Sequence, residues 1–67
     1  MDISTTIDLV ESSAEVRGDP KIPRDFITEA LEKIESGEED VVRYPMGGPS
    51  LKGVYEIAQR LYSQSTT

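Results

Sequence analysis

The sequence predicts a small α+β protein, with residues 1–67 forming a single domain in which two amphipathic helices pack on a short sheet of two or three strands. Near the start of the chain, apolar and polar residues alternate as they do in a half-buried strand. Two later segments repeat their apolar residues every three to four positions, which is typical of helices that bury one face. A chain of 67 residues has room for one hydrophobic core.

The first element, residues 1–11, is predicted to be a strand. Its first positions are rich in β-branched side chains, which pack well on a pleated surface. The side chains that alternate on one face are Ile3, Thr5, Ile7 and Leu9. Residues 12–22 are predicted to be a connector because serine, glycine and proline favour turns. Within this connector, Ala14 to Arg17 are predicted to form a brief second strand.

Residues 23–36 are predicted to form the first amphipathic helix. Its apolar stripe consists of Phe26, Ile27, Ala30, Leu31 and Ile34. Pro23 suits the first helical turn, where its missing N–H has no helical acceptor. Gly37 stands where a helix commonly ends in a left-handed residue.

The second half of the chain predicts a strand at residues 40–44 and a helix at residues 50–63. The strand is β-branched and ends at a proline, which cannot donate to a sheet. Ser50 is the predicted N-cap of the helix. Gly53 is unfavourable in a helix, which indicates that another part of the chain packs close to the backbone there. Residues 64–67 are polar and predicted to be a frayed tail.

Composition excludes several classes of function. The chain contains no cysteine and no histidine, so it has no disulfide, no thiol nucleophile and neither of the commonest metal and proton-transfer groups. No apolar run is long enough for a signal peptide or a membrane span. We therefore expect a cytoplasmic protein with no catalytic residue, no metal, no cofactor and no membrane partner.

The charge of the chain points to a protein partner. Thirteen acidic and seven basic residues give a net charge of −6, which opposes direct binding to nucleic acid and favours a partner with a basic surface. Tyrosines suit such an interface because the ring packs while the hydroxyl stays hydrated. The predicted partner-binding residues are Glu29, Glu32, Glu35, Glu38, Glu39, Asp40, Tyr44, Tyr55 and Tyr62. A simpler interpretation is that the acidic residues only keep the protein soluble.

The stretch RYPMGGPS places two glycines between two prolines, just before a predicted helix. Such loops can bind anions at a helix N-terminus. This one lacks the lysine of a phosphate-binding P-loop and does not have the G-x-G-x-x-G spacing of a dinucleotide site. It is therefore predicted to be a turn followed by a helix cap.

The segment from Gly18 to Leu61 contains GDPKIPRDFITEALEKI and VVRYPMGGPSLKGVYEIAQRL. It resembles the N-terminal part of pyridoxal-phosphate aminotransferases of the histidinol-phosphate family. By this resemblance, Tyr44 corresponds to the loop tyrosine that meets the cofactor phosphate across the dimer. The gap from Tyr44 to Leu51 is shorter than in the family, Lys52 replaces the usual arginine, and the cofactor lysine has no counterpart. The resemblance is thus to a local helix–loop–helix pattern and implies no cofactor here.

Together these features predict a small regulatory module that occludes a partner protein, in the manner of an antitoxin, a phage-encoded inhibitor or an accessory subunit. One form of such an inhibitor would imitate nucleic acid, with carboxylates at the spacing of phosphates. The alternative is a transcription regulator that places residues 50–63 in the major groove, where only Lys52 and Arg60 are basic. The sequence leaves open the identity of the partner, a host or viral origin, the strand order and the formation of a homodimer.

Overall fold

The computed structural model describes residues 2–65 and contains three helices and one small hairpin. The helices are α1 (Ile3–Arg17), α2 (Arg24–Ser36) and α3 (Leu51–Ser65). The hairpin strands are β1 (Arg43–Tyr44) and β2 (Gly48–Pro49). They pair antiparallel, with Arg43 opposite Pro49 and Tyr44 opposite Gly48. The small α+β domain is confirmed, with a sheet of only two strands among the described residues.

Helix α1 is the main correction to the predicted fold. Residues 3–17 are helical, so the strand at residues 1–11 and the brief strand at Ala14 to Arg17 are wrong. The helix buries Thr6, Ile7, Val10 and Ala14, which are spaced for one helical face. The β-branched residues that favoured a strand cost a helix only a few tenths of a kcal/mol each, about 0.5, so burial against the other helices decides the conformation.

The end of α1 carries the sequence signal of a helix C-terminus. This signal lies within the residues that were predicted to be a connector. Gly18 is left-handed, with φ of 81°, and its N–H donates to the carbonyl of Glu15 at 3.1 Å. The N–H of Asp19 donates to the carbonyl of Ala14 at 2.9 Å. This pair of bonds is the usual C-terminal cap of a helix, and a Gly-Asp-Pro sequence after a basic residue is typical of it.

The later elements lie close to their predicted positions, except for the strand. Helix α2 begins one residue after the predicted start, ends at Ser36 as predicted, and is capped by Gly37 with φ of 88°. Strand β1 covers only the last two residues of the strand predicted at 40–44. Helix α3 continues through Ser65, so the frayed tail predicted at 64–67 is wrong for its first two residues, while 66 and 67 lie outside the described residues.

The core lies where the three helices meet. Its buried side chains are Ile7, Val10, Ala14, Ile22, Ile27, Ala30, Ile34, Val54, Tyr55, Ile57 and Ala58. The radius of gyration is 11.1 Å, which matches the value of about 11 Å expected for a compact chain of this length. Within residues 2–65, no helix is long and apolar enough to cross a lipid bilayer.

The turn after α2 folds back against α3. The N–H groups of Glu38 and Glu39 both donate to the carbonyl of Lys33, at 2.9 and 3.1 Å. The chain then brings Val41 onto the first turn of α3, where a Cβ built on Gly53 would lie 3.1 Å from Val41 Cγ1. The close approach predicted from Gly53 is therefore confirmed, and Val41 is the residue that makes it.

Candidate protein-binding surface

The net charge of the chain is concentrated in α2 and the turn that follows it. Residues 25–40 contain seven acidic residues and one basic residue. The rest of the chain contains six acidic and six basic residues, so it is neutral overall. The whole excess of −6 therefore belongs to one continuous segment of the chain.

The α2 part of this segment presents free carboxylates to solvent. Glu29, Glu32 and Glu35 are exposed, and none of the three forms a salt bridge or hydrogen bond within residues 2–65. Glu29 and Glu32 lie on the side of α2 that faces away from the buried residues, and Glu35 lies at the edge of that side, in the groove that Ile34 also lines. We name these three glutamates the acidic face.

The other three predicted acidic residues are occupied within the chain. Glu38 lies 3.9 Å from the Lys33 ammonium and accepts a hydrogen bond from the Ser36 hydroxyl at 3.2 Å. Asp40 accepts the N–H of Val41 at 2.9 Å, and Glu39 accepts a hydrogen bond from the Arg60 guanidinium. These contacts shape the turn, so the acidic series from Glu32 to Asp40 is not a uniform row of free charges.

The ion pair between Glu39 and Arg60 ties the turn to α3. The hydrogen bond from Arg60, supported by its positive charge, holds the pKa of the Glu39 carboxyl below its ordinary value of 4.5. The same hydrogen bond raises the pKa of Arg60. Both groups are therefore charged at neutral pH and are already matched to each other, which leaves less of either charge for a partner.

The three predicted tyrosines have three different environments. Tyr44 is 56% exposed on the hairpin, whereas Tyr55 is 3% exposed in the core. The hydroxyl of Tyr55 donates to the carbonyl of Pro20 at 2.6 Å. Tyr62 is half-buried and packs on Phe26 with ring centroids 5.1 Å apart. The placement of Tyr55 on the partner surface is therefore wrong, because its ring is enclosed by the helices.

We expect Tyr55→Phe to lower the free energy of unfolding by about 1 kcal/mol, because the bond to Pro20 is lost. Burial, reinforced by Asp19, raises the pKa of Tyr55 above its ordinary value of 10.0. The neutral phenol therefore adds stability that is complete below pH 10.0 and is lost as pH rises through the raised pKa. Urea unfolding at neutral and alkaline pH should show that the free energy of unfolding falls less with rising pH in the variant than in wild type. The exposed control Tyr44→Phe should keep the wild-type profile, and an unchanged profile in Tyr55→Phe would contradict this assignment.

The hairpin exposes apolar side chains that sequence reasoning only partly found. Val42 is 66% exposed and Met46 is 99% exposed, with the 56% exposed Tyr44 between them. We name these three residues the apolar tip. Only Tyr44 is among the predicted partner-binding residues. A signal for the other two was present, because apolar residues occur at every second position up to the glycine pair.

The RYPMGGPS stretch forms the turn of this hairpin and the cap of α3. Gly48 adopts a left-handed conformation, with φ of 74°. The Ser50 hydroxyl accepts the N–H of Gly53 at 3.2 Å, as the predicted N-cap requires. The N–H of Ser50 donates to the carbonyl of Val42 at 2.8 Å. Two N–H groups at the start of α3 are therefore used within the chain, as expected of a turn and cap.

A cleft of about 540 Å³ lies between α1 and the loop that follows it. Its rim carries four carboxylates, and arginines of the same chain already meet three of them. Arg24 lies 2.9 Å from Asp8 and 3.4 Å from Glu11, and Arg17 lies 2.8 Å from Asp19. Within residues 2–65, no group of three or more acidic side chains is arranged to hold a metal ion. The cleft has little unpaired charge and is not part of the candidate surface.

Comparison of the chain with protein-family models, curated proteins and solved structures finds no match. The segment that resembles the aminotransferase pattern forms α2, the hairpin and α3.

Proposed function

We propose that this protein is a small acidic regulatory module that binds a partner protein with a basic surface and occludes it. The concentration of the net charge in residues 25–40 supports the proposal, because the outward carboxylates of the acidic face have no partner among the described residues. The proposal covers a protein of the inhibitor, antitoxin or accessory-subunit type.

The mechanism is physical and needs no chemical step. A concentrated negative field steers the module toward lysine- and arginine-rich surfaces and raises the association rate. Once bound, the helices cover the basic surface and keep its usual ligand away. A basic surface that normally holds nucleic acid is a natural target, because carboxylates and phosphates attract the same side chains.

The DNA-binding alternative uses the exposed side of α3, and the arrangement of charges there opposes it. Lys52 and Arg60 are two turns apart on this helix, and the exposed Glu56 lies between them. Arg60 is also paired with Glu39. A gel-shift assay with mixed duplex DNA at two salt concentrations separates the two functions. We expect no shift at either concentration, whereas a shift that weakens steeply with salt would favour the DNA-binding regulator.

The test of the acidic face compares two variants with equal net charge. One is Glu29→Gln with Glu32→Gln and Glu35→Gln, and the control is Asp2→Asn with Glu15→Gln and Glu56→Gln. Each removes three negative charges, but only the first removes them from the acidic face. Glu39 is left intact because its replacement would also break the pair with Arg60.

The partner is first captured from the source cells with tagged protein, identified by mass spectrometry and purified. Calorimetry at low and moderate salt then gives the Kd of each variant. We expect the acidic-face variant to bind roughly tenfold more weakly at low salt and to show a flatter salt dependence, since each lost ion pair contributes up to about 1 kcal/mol. The control should stay within about twofold of wild type. Equal Kd values for the two variants would contradict the proposal.

A further inference from the structure

The apolar tip exposes much apolar side-chain surface for so small a chain. Val42, Tyr44 and Met46 lie at alternate positions around β1, and all three are more than half exposed. Single exposed apolar side chains are normal on proteins, but contiguous ones commonly mark an interaction site. Three such residues lie within five positions outside the core. We therefore expect another molecule to cover them.

Two contacts fix the base of the hairpin to the rest of the fold. At its base, the N–H of Ser50 donates to the carbonyl of Val42 at 2.8 Å. Below this bond, Val41 packs on the backbone of Gly53. A binding element that is already ordered loses less conformational entropy when it docks.

Two carboxylates lie near the base of the hairpin. Glu35 lines the same groove as Arg43 and Pro49, and Asp40 lies at the entry to the hairpin, where it accepts the N–H of Val41. Arg43 is the one basic residue between positions 34 and 51, where the acidic residues are Glu35, Glu38, Glu39 and Asp40. Glu38 and Glu39 are already paired with Lys33 and Arg60, so the negative rim that an occupant of the apolar tip meets consists of Glu35 and Asp40.

We propose that the apolar tip docks against an apolar patch of the partner protein whose rim carries lysine or arginine side chains. This inference rests on the proposed function and adds the apolar anchor to it. Aromatic and methionine side chains at the centre of an interface, surrounded by charged groups, supply much of the binding energy in protein complexes. A second copy of this chain is a poorer occupant because it brings the same carboxylates toward the same rim.

A peptide probe tests this chemistry without knowledge of the partner. The probe is an amphipathic helical peptide of leucine and lysine, and its control is a peptide of equal length and charge in which serine replaces leucine. We expect the wild-type protein to bind the leucine–lysine peptide at least tenfold more tightly than the serine–lysine peptide. In an NMR titration, the largest amide shifts should fall within residues 42–48.

Two double variants locate the contact. Tyr44→Ser with Met46→Ser removes exposed apolar area from the tip, and Leu9→Ser with Val16→Ser removes it from α1, where these residues are 41% and 88% exposed. We expect the tip variant to lose at least tenfold in affinity for the leucine–lysine peptide and to retain its affinity for the serine–lysine peptide. The α1 variant should stay within twofold of wild type. Equal losses in both variants, or no loss in the tip variant, would overturn the inference.

The outcomes separate this inference from the proposed function. If neutralising the acidic face leaves the binding of both peptides unchanged, the electrostatic proposal fails. If the acidic-face variant loses affinity for both peptides but the tip variant binds them as tightly as wild type does, the proposed function stands and the inference about the apolar tip fails. Sedimentation of the protein alone provides a second measurement. If the wild-type protein is a dimer and the tip variant is a monomer, the occupant is a second copy of the chain and the inference is overturned.

Discussion

Replacing Ile27 with alanine is expected to have the largest effect on stability, lowering the free energy of unfolding by about 2–5 kcal/mol. The Ile27 side chain is 1% exposed and belongs to the same buried core as Ala14 of α1 and Tyr55 of α3. A domain of this size has a total stability on the order of 3–10 kcal/mol, so the loss is a large share of it. Urea unfolding followed by circular dichroism measures the change.

The matched control for this variant is Val16→Ala on α1. Val16 is 88% exposed, so its truncation removes little buried area and should change the free energy of unfolding by less than about 0.5 kcal/mol. Similar losses in the two variants would show that the core is not where the structure places it.

The second large effect is expected at Gly53. Gly53→Val places a branched side chain where even a Cβ atom would lie 3.1 Å from Val41 Cγ1 and 3.2 Å from Val41 Cβ. Overpacking of this kind costs about 1–3 kcal/mol, although valine is itself a better helix former than glycine. The variant should unfold at lower urea concentration than wild type. Its control, Lys52→Val, introduces valine at an exposed position of the same helical turn. This control should lower the free energy of unfolding by only about 0.5 kcal/mol.

A double-mutant cycle tests whether Val41 is the cause. Val41→Ala removes the Cγ1 atom that makes the shortest contact with the new side chain. We expect the combined variant to be more stable than the sum of the two single changes by about 0.5–1 kcal/mol. Additive losses would mean that the turn does not pack on α3 as described.

The sequence predicted α2 and α3 well because their signals are local. Apolar spacing, the serine at position 50 and the glycine at position 37 act within one or two helical turns, and the structure places both caps there. The prediction for α1 was wrong because its apolar stripe is short and its β-branched residues favour a strand on propensity alone. Its helical face becomes favourable only when α2 and α3 cover Ile7, Val10 and Ala14.

The features of the candidate surface were likewise predictable from the sequence only where their causes are local. Exposure of Glu29, Glu32 and Glu35 follows from their positions on a helix whose other side is apolar. The occupation of Glu39 by Arg60 does not follow, because 21 residues separate the pair along the chain. The hydrogen bond of the Tyr55 hydroxyl likewise does not follow, because its acceptor Pro20 lies 35 residues earlier. Contacts at such separations leave no periodic signal in a single sequence.

The sequence by itself determined the net charge of this protein, its concentration in residues 25–40, the two amphipathic helices and the absence of cysteine and histidine. The tertiary structure decided that residues 3–17 form a helix, that one tyrosine is buried in the core and another is exposed, and that an apolar hairpin tip follows the acidic turn. The physical reason is the range of the interactions. Composition and periodicity act between neighbours in the chain, whereas burial and ion pairing depend on which distant segments the fold brings together.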